Sequence, residues 1–397
     1  MRILIVSSFL PFPLYNGGHV RLYNLMKQLS QKHKLTLICE KRPYQTEEDI
    51  REVKKLCENV YTVDRKKQWS IENVAKTSVS VYPFLLIGHT LPAMQQKIRE
   101  VLREQTFDLI HVETFYVMQN LPRTYLPVVL AEHNVEYQVY RKYVATAPLP
   151  LRPLLLADIE KMKYWEKKFW QRATKLVAVS ETDKKEMKRE DAVVVANGVN
   201  TKNFPLQKSQ TKFSQKEKRI LFMGDFKWVQ NIEAANWILD EIWPKIISKF
   251  SEKENVNLWI VGKHIPENIK DKQSKHVLID ENAPDDTAKI YAKSFVLLAP
   301  ITVGGGTSYK ILEAMASGVP VVTTPLGVVG LGAKDKKEAV VGETAETLAK
   351  HTFSLFQDKQ LYEKITKEAR LLIEEKYTWE SITKVLESVY KEAVKND

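Results

Sequence analysis

At 397 residues the chain is long for one hydrophobic core, so two domains of ordinary size are expected. Its 44% hydrophobic and 27% charged residues describe a globular protein and exclude a disordered or fibrous one. The two cysteines, Cys39 and Cys57, make no disulfide framework and fit a reducing compartment, while a formal net charge of +11 leaves room for an anionic surface as partner.

The opening MRILIVSSFLPFP imitates a signal peptide, but its apolar run is short and no small-residue cleavage site follows. A first buried strand is expected instead, and with it a cytoplasmic protein. The runs KLTLICE, VYTVD, FDLIHVE, VVLAEHN, KLVAVSE and AVVVANGV follow, with helical patterns such as GHVRLYNLMKQLSQK and LPAMQQKIREVLREQ between them. Continuous apolar runs, rather than alternating ones, predict strands buried on both faces of a parallel sheet. The most apolar internal run, YPFLLI at 82–87, is far too short to span a bilayer. No G-x-G-x-x-G follows the first strand, which argues against a dinucleotide oxidoreductase.

Residues 138–175 hold nine Lys/Arg against three Asp/Glu, with Tyr164, Trp165, Phe169 and Trp170 close together. A basic, aromatic amphipathic helix can lie on an anionic membrane; alternatively the aromatics are core and the lysines a solvated face. No recognition motif for nucleic acid accompanies the charge. The polar stretch NTKNFPLQKSQTKFSQKEKR, 200–219, lacks hydrophobic period and reads as a linker. Beyond it the strand pattern restarts with RILFMGDF, NLWIVGK, HVLIDE, SFVLLAPI and VPVVTTP. The expected class is therefore α/β, with Rossmann-like domains over 1–200 and 201–376. The last helix, within 377–397, carries Trp379, Ile382, Val385, Leu386 and Val389 at helical spacing and is expected to pack back on the first domain.

In VGGGTSYKILEAMASGVPVV, 303–322, a strand runs through three glycines into a helix pattern, with Thr307 as expected N-cap and Gly318 as stop. Such a loop presents backbone N–H groups and a positive dipole end to an anion. Lys310 adds a full charge one turn in, and Glu313 lies three residues on, on the same face. A cation for phosphates and a carboxylate for hydroxyls suggest a nucleotide sugar. The bland alternative is a strand-to-helix turn with Lys310 and Glu313 as a solvated pair. The position at a strand's carboxyl end favours the ligand.

The same segment, GGGTSYKILEAMASGVPVVTTPLG, resembles the nucleotide-binding signature of retaining glycosyltransferases of family 4, the group 1 type with a GT-B fold. PFPLYNGGHVRLYNL, EHNVE, VAVSE, VANGV, FMGDFKWVQN and YTWE match in the expected order, so the resemblance covers nearly the whole chain. It implies two Rossmann-like domains facing each other across a cleft. The implied activity is transfer of a sugar from a nucleotide-diphosphate donor to a glycan or lipid-linked acceptor, with retention, in cell-surface glycan synthesis. By this resemblance Glu313 would bind the donor ribose, and Lys310 with the amides of Gly305, Gly306 and Thr307 would hold the diphosphate. Gly17 and Gly18 would close over it, His133 would face the donor sugar as the catalytic-site histidine, and Asn197 and Gly198 would lie at the hinge. Lys227 would touch phosphate.

The chain also departs from the family pattern. Where many members carry the first of two glutamates, eight positions before Glu313, this chain has Gly305; Ser308 and Asp225 stand where arginines are usual. The diphosphate is left with less basic company. No Asp-x-Asp motif occurs, and PDD at 284–286 reads as a helix N-cap cluster, so neither a metal nor another cofactor is expected. His111 reads as structural, while the roles of Glu132 and Glu136 stay open. A nucleotide-sugar epimerase of the same fold and an inactive nucleotide-sugar-binding protein are the rival readings.

Overall fold

The computed structural model describes residues 1–395 except 66, 145, 146, 208, 252, 285 and 303–305. The chain divides into two compact units, Met1–Val195 with Thr383–Asp397, and Ala196–Ile382.

The first unit is built on seven parallel strands: β1 (Arg2–Ser7), β2 (Lys34–Lys41), β3 (Asn59–Asp64), β4 (Leu109–Glu113), β5 (Val128–Ala131), β6 (Lys175–Ala178) and β7 (Val193–Val194). Their order is β3-β2-β1-β4-β5-β6-β7, so the winding reverses between β1 and β4, where Ser7 lies opposite Glu113. Every residue of β4 is buried, His111 and Glu113 among them. The run AVVVANGV yields strand only at Val193–Val194.

The helix Gly17–Leu29 starts at Asn16, whose side chain accepts from the His19 N–H, and buries Leu22, Leu25, Met26 and Leu29 at helical spacing. The C-terminal helix Trp379–Lys395 buries Leu386, Val389, Tyr390 and Ala393. Within the first unit Glu387 accepts from Lys32 Nζ at 3.2 Å and pairs with His33 Nε2 at 3.0 Å.

In the helix Arg152–Arg172 most of the clustered aromatics are core or partly buried. Phe169 and Trp170 are core, Trp165 stacks on Tyr82 at 4.4 Å, and of the four aromatics Tyr164 alone is exposed. Burial of these rings outweighs any gain from leaving them in water.

The second unit carries six parallel strands: β8 (Lys218–Asp225), β9 (Val256–Lys263), β10 (Val277–Asp280), β11 (Ser294–Ala299), β12 (Val321–Thr323) and β13 (Val340–Val341). Their order, β10-β9-β8-β11-β12-β13, reverses between β8 and β11. β13 escaped the sequence reading because two residues carry no period.

The polar stretch after Val199 is packed, not a free linker. Phe204 is buried, residues Ser209–Phe213 form a helical turn, and Lys212 Nζ donates to the carbonyls of Tyr291, Ala292 and Ser294 at 2.9, 2.7 and 2.7 Å. A cation there satisfies carbonyls left open where the helix Thr287–Lys293 ends. Among the described residues no helix is long and apolar enough to cross a membrane.

Candidate active site

Ligands of open parallel sheets bind beyond the carboxyl ends of the strands, where the winding reverses. Both units bring expected functional residues to that place.

In the second unit β8 and β11 open a pocket of about 220 Å³ whose lining includes Phe222, Asn231, Pro300, Gly306, Thr307 and Lys310. Thus Gly306, Thr307 and Lys310 come together; Gly305 and Gly304 lie outside the described residues, and Glu313, Asn197 and Lys227 are not in this lining. The glycine-rich loop leads into the helix Tyr309–Ala316, whose N-cap is Ser308, one residue later than expected. Thr307 is used elsewhere: its hydroxyl accepts the Asn197 N–H at 3.0 Å, and its carbonyl accepts from Asn197 Nδ2 at 3.1 Å. Asn197 therefore pins the loop that precedes the helix. A Cβ at neighbouring Gly198 would come within 2.8 Å of the Trp379 ring, so glycine there serves a close approach.

Lys310 Nζ donates to Asn231 Oδ1 at 2.9 Å and stands 4.8 Å above the centre of the Phe222 ring. Asn231 is held in turn by donating Nδ2 to the Asp225 carbonyl at 2.8 Å. Both named partners of the ammonium are uncharged, and burial pushes it down to about 8. Lys310 and Glu313 do not form the solvated pair of the bland alternative. Glu313 sits instead beside the hydroxyls of Thr287 and Tyr291; burial pushes its carboxyl up to about 7, against the pull of those two groups. Tyr291 also donates to the Lys310 carbonyl at 2.9 Å, tying the start of the helix to its neighbour.

Gly306 is exposed, and among the described residues a Cβ there would meet nothing within 4 Å. Lys227 is exposed, its backbone N–H bonded to Asp225 Oδ1 at 3.0 Å. Asp225, where the family pattern usually has an arginine, also pairs with His264 Nδ1 at 2.9 Å and so holds the turn after β8. Asp286 caps the helix Thr287–Lys293 by accepting from the Ala288 N–H, as an N-cap cluster should.

In the first unit the ends of β1 and β4 hold a cluster of charged groups. Glu113 is fully buried, and its Oε1 binds His133 Nε2 at 2.5 Å while Oε2 binds His111 Nε2 at 2.7 Å. Arg21 Nε approaches Oε1 at 3.9 Å, and Tyr390 Oη lies 2.9 Å from His111 Nδ1. Burial alone would raise the Glu113 carboxyl, but His133 and His111 beside it hold it well below the usual carboxylate range. The outer edge of His133 faces the start of the helix Gly17–Leu29: a Cβ on Gly18 would lie 3.1 Å from its Cε1 and 3.3 Å from its Nδ1. So Gly17, Gly18 and His133 share one rim.

Glu113 was missed. The signal was present in LIHVE, where His111 and Glu113, two residues apart, share one face of a strand otherwise apolar throughout. Glu132, left open before, accepts from the Phe115 N–H at 3.2 Å and Trp170 Nε1 at 3.0 Å, a structural use. Burial raises the carboxyl of Glu136 above its ordinary range. Among the described residues no His/Cys/Asp/Glu group of three or more is arranged to hold a metal ion.

Two parallel-sheet units, each with a helix start at its switch point, make up the GT-B architecture of glycosyltransferases. Solved structures share it. The chain aligns over all of both chains with sucrose-phosphate synthase from Thermosynechococcus elongatus, at TM-score 0.71 and 14% identity. The alignment with Anabaena HepE in complex with UDP-glucose covers 98% of this chain and 100% of that one, at TM-score 0.65 and 13% identity. Residues 15–203 match Glycosyltransferase Family 4, and residues 217–358 match Glycosyl transferases group 1. Together these matches span most of the chain, which belongs to glycosyltransferase family 4 and is a glycosyltransferase. An uncharacterized 44.6 kDa protein in the cps region of Klebsiella pneumoniae is 23% identical over 405 residues, covering 98% of this chain and 99% of that one.

Proposed function

We propose that the enzyme moves a sugar from a nucleotide-diphosphate donor to a glycan or lipid-linked acceptor, with retention of configuration, in cell-surface polysaccharide synthesis. The observation that carries this is Lys310, an ammonium at the pocket between β8 and β11 whose named partners are uncharged. Cleavage of the anomeric bond leaves negative charge on the departing diphosphate. Lys310 and the N-terminal end of the helix Tyr309–Ala316 answer that charge without a metal. Glu313 takes the ribose hydroxyls, and His133, at its own rim, turns to the donor sugar. The UDP-glucose held by HepE and the cps location of the Klebsiella relative support this reading.

The test is calorimetric titration with UDP-, GDP-, ADP- and TDP-sugars, followed by transfer assays with and without EDTA. Transfer that survives chelation is expected. Loss of turnover restored by manganese or magnesium overturns the metal-free part. Nucleotide release without acceptor would point to an epimerase, and binding without turnover to a binding protein.

A specific observation favours a membrane-borne acceptor. Trp69, Ile71, Val79 and Val81 are exposed on one segment, and Leu149, Leu151 and Leu154 on another. The first segment is bonded to the same basic helix, Arg152–Arg172, that carries Leu154: Lys161 Nζ donates to the Thr77 and Ser80 carbonyls at 3.0 and 2.7 Å and Trp165 Nε1 to the Val81 carbonyl at 2.9 Å. Exposed aliphatics beside a basic helix suit the surface of an anionic bilayer. Sedimentation with phosphatidylglycerol but not phosphatidylcholine vesicles is expected; equal binding to both, or to neither, removes the idea.

A further inference from the structure

We infer that Glu113 is a positioning residue for His133, and that Tyr390, acting through His111, holds Glu113 in register. The inference rests on the reading of His133 as an active-site group, and adds to it what fixes that group.

Hydrogen-bond capacity decides the direction of each contact. An ionised carboxylate only accepts, so both histidines must present Nε2–H to Glu113, at 2.5 Å for His133 and 2.7 Å for His111. With the proton of His111 on Nε2, its Nδ1 accepts from the Tyr390 hydroxyl at 2.9 Å. The chain runs Tyr390 O–H to His111 Nδ1, His111 Nε2–H to Glu113, and His133 Nε2–H to Glu113. Every polar direction agrees. For His133 the consequence is specific: Nε2 is committed inward, and Nδ1 is the nitrogen turned toward Gly18 and toward a ligand at that rim. Ring orientation and tautomer are set together by one buried oxygen.

The cluster is built to keep that carboxylate charged and still. Glu113 is fully buried, Tyr390 is fully buried on the C-terminal helix, and Arg21 Nε supplies a positive charge 3.9 Å from Oε1. Arg21 is itself anchored by donating an NH2 group to the Val195 carbonyl at 2.7 Å. A charged carboxylate in such surroundings is costly unless each of these partners is in place. The last helix of the chain thereby contributes to the first unit's rim, with its tyrosine three hydrogen bonds away from His133.

The test uses the full-length protein and Glu113→Gln, Tyr390→Phe and His133→Gln variants. A carboxamide has one accepting and one donating end, so Glu113→Gln must force one histidine to the other tautomer. Histidine ¹⁵N NMR on free wild type should show His133 protonated at Nε2; this pattern should change in Glu113→Gln, while Tyr390→Phe should shift the His111 Nδ1 resonance and, through Glu113, those of His133. With the donor sugar selected by the calorimetric panel, Glu113→Gln should lower kcat about ten- to a hundredfold, as loss of a ligand-orienting partner does, with a much smaller change in donor KM. Tyr390→Phe should follow in the same direction with roughly a two- to fivefold loss. Thermal unfolding checks that each variant is folded; should Glu113→Gln not fold, Tyr390→Phe decides. Unchanged His133 resonances and unchanged kcat in a folded Glu113→Gln or Tyr390→Phe overturn the inference. If His133→Gln itself turns over like wild type, the active-site reading of His133 fails instead.

Discussion

At the reversal point of the first sheet, β1 and β4 end in side chains that hold one another: Glu113 between two histidines, an arginine within salt-bridge range, and Gly18 packed against His133. At the reversal point of the second sheet, β8 and β11 end in a helix start, one amine with an amide partner, and Gly306 with open space where a side chain would go. The topology is alike, and the chemistry differs. A rim that must aim one nitrogen needs many partners around it. A rim that must receive a charged group needs partners withheld until the ligand arrives, and that costs the free protein stability.

The largest effect should fall on the second rim. Lys310→Ala should weaken binding of the nucleotide donor by roughly 10- to 150-fold, the equivalent of about 1.5–3 kcal/mol for a hydrogen bond to a charged group. Calorimetry showing unchanged affinity in a folded variant would mean that this rim does not recognise phosphate by charge. Glu313→Gln keeps the shape and loses the charge, so about a tenfold loss of nucleotide affinity is expected, with less when a 2′,3′-dideoxy nucleotide is the probe.

The pH dependence sharpens the same contrast. Lys310 sits at about 8, below its ordinary 10.5, so its charged form is the destabilised one. Donor affinity should hold below pH 8 and fall above it by up to about tenfold per unit, with proton uptake on binding, because the diphosphate needs the ammonium. Stability has the opposite sense. The penalty of the buried charge is fully present below pH 8 and fades as pH rises toward 10.5. Lys310→Met should therefore raise the unfolding temperature at pH 7, with a gain that shrinks through that window. Glu313, pushed up to about 7, penalises folding above pH 7 and stops doing so as pH falls toward 4.5. A flat affinity profile between pH 7 and 9 would contradict the role of Lys310.

The smallest effects separate the rims most cleanly. Gly306→Ala meets no neighbour among the described residues, so its unfolding temperature should match wild type while donor affinity falls a few-fold. Gly18→Ala presses on His133 at 3.1 Å and should lower both turnover and unfolding temperature. Equal thermal behaviour of the two variants would erase the distinction between a packed rim and an open one.

Much of this was legible in the chain itself. Unbroken runs such as RILIVSS and SFVLLAPI announced parallel strands, and the loop feeding the helix after β11 announced the pocket and Lys310. Other features misled. Thr307 looks like an N-cap by type, yet the cap falls on Ser308 and the Thr307 hydroxyl accepts from Asn197, 110 residues away. The polar run after Val199 looks like a linker because Lys212 is hydrophilic, yet its ammonium is buried against three carbonyls near residues 291–294.

Sequence by itself determined what depends on local period and composition: two parallel-sheet units, their helices, the glycine loop and the family. Tertiary structure alone decided which polar groups meet. His133 finds Glu113 across 20 residues and Tyr390 finds His111 across 279, each partner delivered by a different element. A hydrogen bond between side chains on different strands and helices imposes no period on either, so nothing along the chain marks it. The apolar pattern builds the sheets, and only the folded unit brings those atoms within 3 Å of one another.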